Sequence, residues 1–309
     1  MKNEHTIFLC RRAKQRGIKC QTLESDDSFC VLSKGKQIHL VYGGIVSDNS
    51  SASGYELARS KVVAREFLKI NKFPVLPQIK TKEFGEAKKF LEKHKKVVVK
   101  PMKLKQGKGI SVGIETVRQL KQAWRYANQF TKHSKVIEKY YPGVDHRVLV
   151  INYKNVFAVQ RFPAYVIGNG RDSIKKLISI KNLQETPEQR KKPIIIDQPM
   201  KAFLSGQKLS LYYVPKENQK IILRGTANIR TGGESRDCTD ELSSEVKKQA
   251  ITIAKLLKTD VIGIDYLAED INKKRYIIEL NSDPGVQLHH FPTHGKKREP
   301  IEKFLDMLF

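Results

Sequence analysis

"YIIELNSDPG", residues 276–285, begins as an apolar strand and ends abruptly at Asp283-Pro284-Gly285. Ile277, Ile278 and Leu280 enclose Glu279, and Asn281 follows two residues on. Strand side chains alternate between faces, so Glu279 and Asn281 point one way while Ile278 and Leu280 point the other. Two oxygen-bearing groups at the end of a buried strand require a partner. A hydrogen-bond network and a hard cation both qualify.

Just upstream, "VIGIDYL" (261–267) is separated from this run by the polar turn "AEDINKK", so the two pair as an antiparallel hairpin. Asp265 sits among Ile264 and Leu267, a costly place for an unpaired carboxylate. The hairpin gathers Asp265, Glu279 and Asn281 into one patch of two carboxylates and an amide oxygen. Such hard ligands suit Mg²⁺. Hydrogen bonds, or pairing with the many lysines, would satisfy the same groups.

Outward from the hairpin, the pattern is α+β without regular βαβ alternation. "HTIFLC", "FCVLS" and "QIHLVYGG" read as short strands, followed by one helix beginning after Ser53 and ending before Pro74. "KVVVKP", the glycine-rich turn "MKLKQGKG", "ISVGI", a helix opening at Thr116, "KVIEKYY" and the hairpin "HRVLVINYKNVFAVQRF" come next. Helices are expected in "DSIKKLISIKNLQ", in "MKAFLSGQ" and after Ser243. Lys100 ends a strand of valines, and Lys61 lies in "ARSKVVAREF"; singly, each reads as a solvated lysine. The turn is not a P-loop: Met102 stands five residues before Gly107 where that motif has Gly, and Gly109 replaces Ser/Thr. Its N–H groups can close over phosphates, although a bare hairpin turn is the simpler reading in isolation.

The 309 residues contain 58 Lys+Arg against 32 Asp+Glu, a formal charge of +26. Such an excess draws polyanions, but no nucleic-acid reading motif accompanies it, so nucleic acid is not an expected partner. No apolar run approaches the ~18 residues of a membrane span, and the N-terminus lacks the apolar core of a signal peptide. No membrane partner and a cytoplasmic location are therefore expected. Cys10, Cys20, Cys30 and Cys238 form no CxxC pair and read as unbridged thiols in a reducing compartment.

In this order the motifs resemble the ATP-grasp ligases, most closely the ATP-grasp module of cyanophycin synthetase and of bifunctional glutathione synthetases. The resemblance covers about three quarters of the chain, from "ASGYELARSKVVAREFLKINKFPVLP" to "HFPTHGKKRE". Its most specific stretches are "VVVKP…GKGISVGI", "VIEKYYPGVDHRVLVINYKNVFAVQRFPAYVIGNG", "LRGTANIRTGGESRDCTDEL" and "VIGIDYLAED…YIIELNSDPGVQLHHFPT". It implies an ATP-grasp fold divided into a divergent N-terminal region (1–60), a central lid subdomain (61–140) and a C-terminal subdomain (141–309). Residues 1–60 match least, and the additional regions of cyanophycin synthetase are absent from the sequence.

Carried onto this sequence, the resemblance implies that Lys61 and Lys100 contact ATP phosphates. Lys103–Gly109, including Gly107, Lys108 and Gly109, would form the phosphate lid. Glu138, Lys139 and Tyr141 would line the adenine slot, and Asp145 would take the ribose hydroxyls. Asp265, Glu279 and Asn281 would hold two Mg²⁺ ions, with Mn²⁺ as an alternative. Arg147, Arg161 and Arg230 would stabilise charge as a carboxylate becomes an acylphosphate and an amine attacks it. Arg224, Asn228, Gly232 and Gly233 would lie on the substrate side; a structural role for Arg224 fits its sequence context equally. His289 and His290 read as surface groups, and Cys238 as a packed thiol.

The function so implied is an ATP- and Mg²⁺-dependent carboxylate–amine ligase. Its acceptor is an amino acid or an acidic peptide, and a homodimer is implied by analogy alone. Two alternatives stay open at this level. One is a peptide-modifying enzyme that makes ester or amide cross-links; the other is a basic polyanion-binding protein on the same scaffold.

Overall fold

A computed structural model describes residues 3–101, 109–131, 133–183 and 193–309, apart from the Arg230 side chain. The first helix, α1 (Glu4–Gln15), includes the stretch expected as a strand, "HTIFLC". Its start is fixed by Asn3, whose side-chain oxygen accepts the His5 and Thr6 N–H groups. Thr6, Leu9 and Ala13 then recur on its buried face at helical spacing. The cap and a helical spacing sustained over twelve residues outweigh the strand preference of Thr6-Ile7-Phe8.

An antiparallel sheet follows, in the order β1 (Lys19–Thr22), β2 (Phe29–Lys34), β3 (Gln37–Tyr42) and β4 (Val46–Ser47). The helix expected after Ser53 is two helices, α2 (Ala52–Arg59) and α3 (Lys61–Ile70). They break at Ser60, whose hydroxyl accepts the Val63 N–H and so starts α3 afresh. A second antiparallel sheet contains β5 (Gln78–Thr81), β6 (Val97–Pro101), β7 (Ser111–Ile114) and β8 (Lys135–Lys139), in the order β5-β8-β6-β7. It packs against α4 (Phe84–His94) and α5 (Val117–Asn128), whose N-terminus has the full capping box of Thr116 and Gln119.

Next comes the hairpin β9 (Val144–Ile151) and β10 (Asn155–Phe162), which turns through Asn152 and Tyr153 at positive φ. An excursion with its own small core contains β11 (Tyr165–Ile167), α6 (Ile174–Leu183), α7 (Gln198–Gly206) and β12 (Lys220–Ile222). The chain then gives β13 (Glu234–Asp237), α8 (Ser244–Leu257), β14 (Val261–Ala268), β15 (Arg275–Asn281), α9 (Gln287–His290) and α10 (Pro300–Leu308). Strands β13-β10-β9-β14-β15 form a five-stranded antiparallel sheet at the centre of the molecule.

One face of this sheet, with Val148, Val150, Ile262, Ile264 and Tyr266, packs on α8 and on Ala64 and Leu68 of α3. On the other face, Leu149, Ile151 and Val261 meet α1 and α10. Further along the same strands, that second face becomes charged. Asp260 ties the sheet to the N-terminal region by accepting hydrogen bonds from Ser47 (2.5 Å) and Ser50.

Two sequence expectations are corrected here. Cys10 and Cys20 are joined as a disulfide, while Cys30 and Cys238 are free and buried. The turn after α1 folds β1 back beneath the helix and brings the two Cα atoms to 5.3 Å, within bridging distance. His289 and His290 are buried in α9 and are not surface groups.

Burial pushes His146 down to about 4 and His290 to about 3, and holds His289 well below the ordinary imidazole value. His290 Nε2 accepts the Ile301 N–H, which requires that nitrogen to be unprotonated. An unfolded histidine titrates near ~6.5, so on acidification below that value the unfolded chain binds protons that the folded chain refuses. Unfolding free energy should therefore fall between pH 6.5 and 4, by up to about 1.4 kcal/mol per pH unit for each histidine. Urea midpoints at pH 7 and pH 5 measure this, and equal midpoints would refute it. Separately, a Cβ on Gly54 would lie 1.9 Å from the Leu257 carbonyl oxygen, so α2 crosses the end of α8 only because no side chain intervenes. Gly54→Ala should cost about 1–3 kcal/mol in the same unfolding assay.

Candidate active site

The charged half of the central sheet faces the second sheet across a cleft of about 2180 Å³, with the N-terminal region along one rim. Strand register assembles its floor. Asp145 lies opposite Arg161, Arg147 opposite Asp265, Asp265 opposite Glu279, and Gly263 opposite Asn281. Residues directly opposite in a ladder share a face, so all six side chains project into the cleft. A bulge makes this possible. Between Asp265 and Tyr266 the register slips, and Ile277, Ile278 and Glu279 span two residues of β14. Ile277 thereby stays in the core beneath Tyr266 while Glu279 turns outward.

The aspartates and arginines form a continuous ladder. Arg161 donates through Nε and Nη2 to Asp145 Oδ1 at 2.9 and 2.5 Å, and through Nη2 to Asp265 at 2.8 Å. Arg147 grips Asp265 through Nε and, at 3.0 Å, through Nη2. Burial acts to raise the Asp265 carboxyl, but the Arg147 and Arg161 guanidiniums outweigh it and hold the group well below the usual carboxylate range. Asp265 is 3% exposed, so these partners are what allow its charge to be buried.

Glu279 is more open, with a side chain 34% exposed and Lys61 Nζ at 3.3 Å. Beside it, the Asn281 Nδ2 is buried with no hydrogen-bond partner among the described residues, an orphaned polar end at the floor of the cleft. An amide N–H group cannot ligate a cation, so the ligands on offer here are the Glu279 carboxylate and the Asn281 Oδ1, which suit a hard cation. Asp265 reaches the same patch, but a cation there would share it with Arg147 and Arg161. The donor set fits Mg²⁺, with Glu279 as its most accessible member.

The opposite wall is basic. Lys100 Nζ donates to Glu138 Oε1 at 2.5 Å, and Arg65 approaches the other oxygen at 3.4 Å. Glu138 is therefore the counter-ion of two cations. Arg65 was not singled out from sequence, although it lies one helical turn beyond Lys61 on α3. Lys139 and Tyr141 line the cleft, and Tyr141 packs edge-on against Tyr276 at 4.7 Å. Asn228 lines it from the loop before β13.

Several expected residues lie elsewhere. Arg224 is buried and donates to the Ile195 carbonyl at 2.7 Å, with Asp197 at 3.0 Å, so it braces the excursion between β10 and β13. Gly232, at φ +86°, abuts Ile194, and Gly233 lies where a Cβ would meet the Asn228 and Phe162 carbonyl oxygens. Both glycines serve close backbone packing. Gly109 turns at φ +72° against Pro101. Gly107 and Lys108 lie outside the described residues, as does the side chain of Arg230, whose backbone is in a short 3-10 turn, Ile229–Thr231.

The ladder's energetics are testable without any ligand. Asp265→Asn keeps the side-chain shape but leaves Arg147 and Arg161 undercompensated, and should cost about 3–5 kcal/mol of stability. Lys61→Met removes a pair whose ammonium side chain is 58% exposed, and should cost less than about 1 kcal/mol. Urea unfolding compares the two, and equal losses would contradict this electrostatic reading.

A family model described as the prokaryotic glutathione synthetase ATP-grasp domain matches residues 61–176, and a RimK-like ATP-grasp domain matches residues 223–294. The glutathione biosynthesis bifunctional protein GshAB of Clostridium perfringens is 33% identical over 98% of this chain, which covers 41% of that protein. Cyanophycin synthetase of Crocosphaera subtropica is 34% identical over 69% of this chain and 26% of its own length. A solved bifunctional glutathione synthetase from Pasteurella multocida superimposes with a TM-score of 0.72 at 27% identity, over 99% of this chain and 43% of that one. The chain spans less than half the length of each of these relatives. With two sheets enclosing a cleft lined by lysines, arginines and carboxylates, the chain belongs to the ATP-grasp superfamily and has its α+β fold.

Proposed function

We propose that this protein is an ATP- and Mg²⁺-dependent ligase that joins a carboxylate to an amine through an acylphosphate. The observation that carries the proposal is the single charged sheet face, on which Glu279, Asn281 and Asp265 stand opposite the Lys100 wall and beside Lys61. Lys61 and Lys100 bind the phosphate tail, and each gives up a carboxylate partner as it does so. Tyr141 and Lys139 border the base. Glu279 and Asn281 hold the divalent ion, with Asp265 as a third donor. When bound, that ion neutralises phosphate oxygens and polarises the transferring group.

Arg147 and Arg161 act by being fixed. The aspartates engage Nε and Nη2 of each guanidinium, and an arginine carries five N–H donors. Among the described residues the Nη1 groups therefore remain to meet the oxygen on which charge develops, and they need no reorganisation to do it. No protein nucleophile takes part. Cys238 is packed in the core with its thiol pushed up to about 12 by burial, which suits a structural role.

An amino acid and an acidic peptide are both acceptors this chemistry would serve. Two features support the larger of them. The cleft volume of about 2180 Å³ exceeds the ~300–1,000 Å³ typical of a small-molecule pocket, and the formal charge of +26 attracts an extended anion.

The test is release of ADP and phosphate from Mg²⁺-ATP with pooled amino acids and, separately, with Glu/Asp-rich peptides. Turnover in one pool is expected. Glu279→Gln should lower that turnover by on the order of 10²-fold or more and weaken nucleotide binding. Silence in every pool, together with no thermal shift on adding Mg²⁺-ATP, would overturn the ligase reading.

A further inference from the structure

The N-terminal region has a second cluster of reactive groups, outside the residues that line the cleft. Cys10 on α1, Cys20 on β1 and Cys30 on β2 place their three sulfurs within 4.8 Å of one another. The arrangement follows from register. Cys20 lies opposite Leu32 and Thr22 opposite Cys30, so Cys20 and Cys30 are diagonal neighbours on the sheet face that α1 covers. Cys10 descends on them from the helix and is bonded to Cys20. Phe8, Leu9, Ile18, Leu32 and Val41 belong to the same apolar cluster. Cys30 is fully buried, whereas Cys10 and Cys20 are half-buried and within reach of a solute.

We propose that, once the Cys10–Cys20 bond is reduced, the three sulfurs form a trigonal site for one soft monovalent cation of the Cu(I) class. Thiolates select soft ions. Zn²⁺ favours four ligands, and the group found among the described residues contains three. Reduction by a dithiol supplies two electrons and two protons: the S–S bond breaks, Cys10 and Cys20 become thiols, and the dithiol leaves as its own disulfide. The cation then displaces the thiol protons to solvent. Three sulfur–metal bonds replace the one sulfur–sulfur bond as the link between α1 and its sheet.

The test is an anaerobic competition in which the full chain withdraws Cu(I) from a chromogenic chelator. After reduction and desalting, the chain should take up one equivalent; before reduction it should take up none, and thiol titration should rise from two groups to four. Cys10→Ser and Cys20→Ser, both at half-buried positions, should each weaken binding at least about a hundredfold while the thermal transition is retained. Cys238→Ser, in a different core, should bind like the unaltered protein. Failure of the reduced chain to compete, or equal affinity in Cys20→Ser, would overturn the proposal. Neither result bears on the ligase reading, which uses none of these cysteines.

Discussion

The structure turns on the register of β14 between β9 and β15. Asp265 lies opposite Arg147 on one side and Glu279 on the other. A slip of one residue would exchange the sheet's faces, sending Asp265 beneath α8 and Ile264 into the cleft. The hydrophobic side of the sheet forbids this, because Ile262, Ile264 and Tyr266 are fully buried against α8. Apolar packing on one face thus fixes the charged arrangement on the other. The charges reinforce it in turn, since Asp265 is tolerable in the interior only where Arg147 and Arg161 meet it.

The other face of the sheet serves two purposes along its length. Leu149, Ile151 and Val261 seat α1 and α10, while Asp145, Arg147 and Asp265, further along the same strands, line the cleft. The charged groups Asp145, Arg147 and Asp265 therefore stand on strands anchored at their other end in an apolar core. This gives the rigidity that electrostatic preorganisation requires. Lys61 has a related support: it begins α3, whose Ala64 and Leu68 are packed into the main core.

Much of this could be read directly from residues. "VIGIDYL" and "YIIELN" announced a hairpin, and the hairpin brought Asp265, Glu279 and Asn281 to one face. The bulge at Ile278 could not be read, because strict alternation assigns Ile277 to the face of Glu279; only the demand to bury Ile277 beneath Tyr266 resolves the conflict. Nor could the ladder through Arg147 and Arg161, since it depends on the order β10-β9-β14, a non-local property. Arg224 stood in a motif stretch but is oriented by Asp197, in a segment whose packing the sequence left open. At the N-terminus, a strand-like composition concealed a capped helix, and ten-residue cysteine spacing concealed adjacency created by a turn.

The partnership between α1 and α10 bears on how the chain acquires its shape. Arg12 and Arg16 pair with Glu299, Glu302 and Asp306, and Ile301, Phe304, Leu305 and Leu308 complete the apolar cluster begun by Phe8 and Leu9. One of these bonds spans 287 positions. On the ribosome, α1 and its sheet therefore stay incompletely covered until residues 300–308 emerge. Contacts of such separation form slowly and leave greasy surface open in the interval. The apolar face of α1 and its sheet is consequently a surface that a nascent chain must keep from aggregating until α10 arrives.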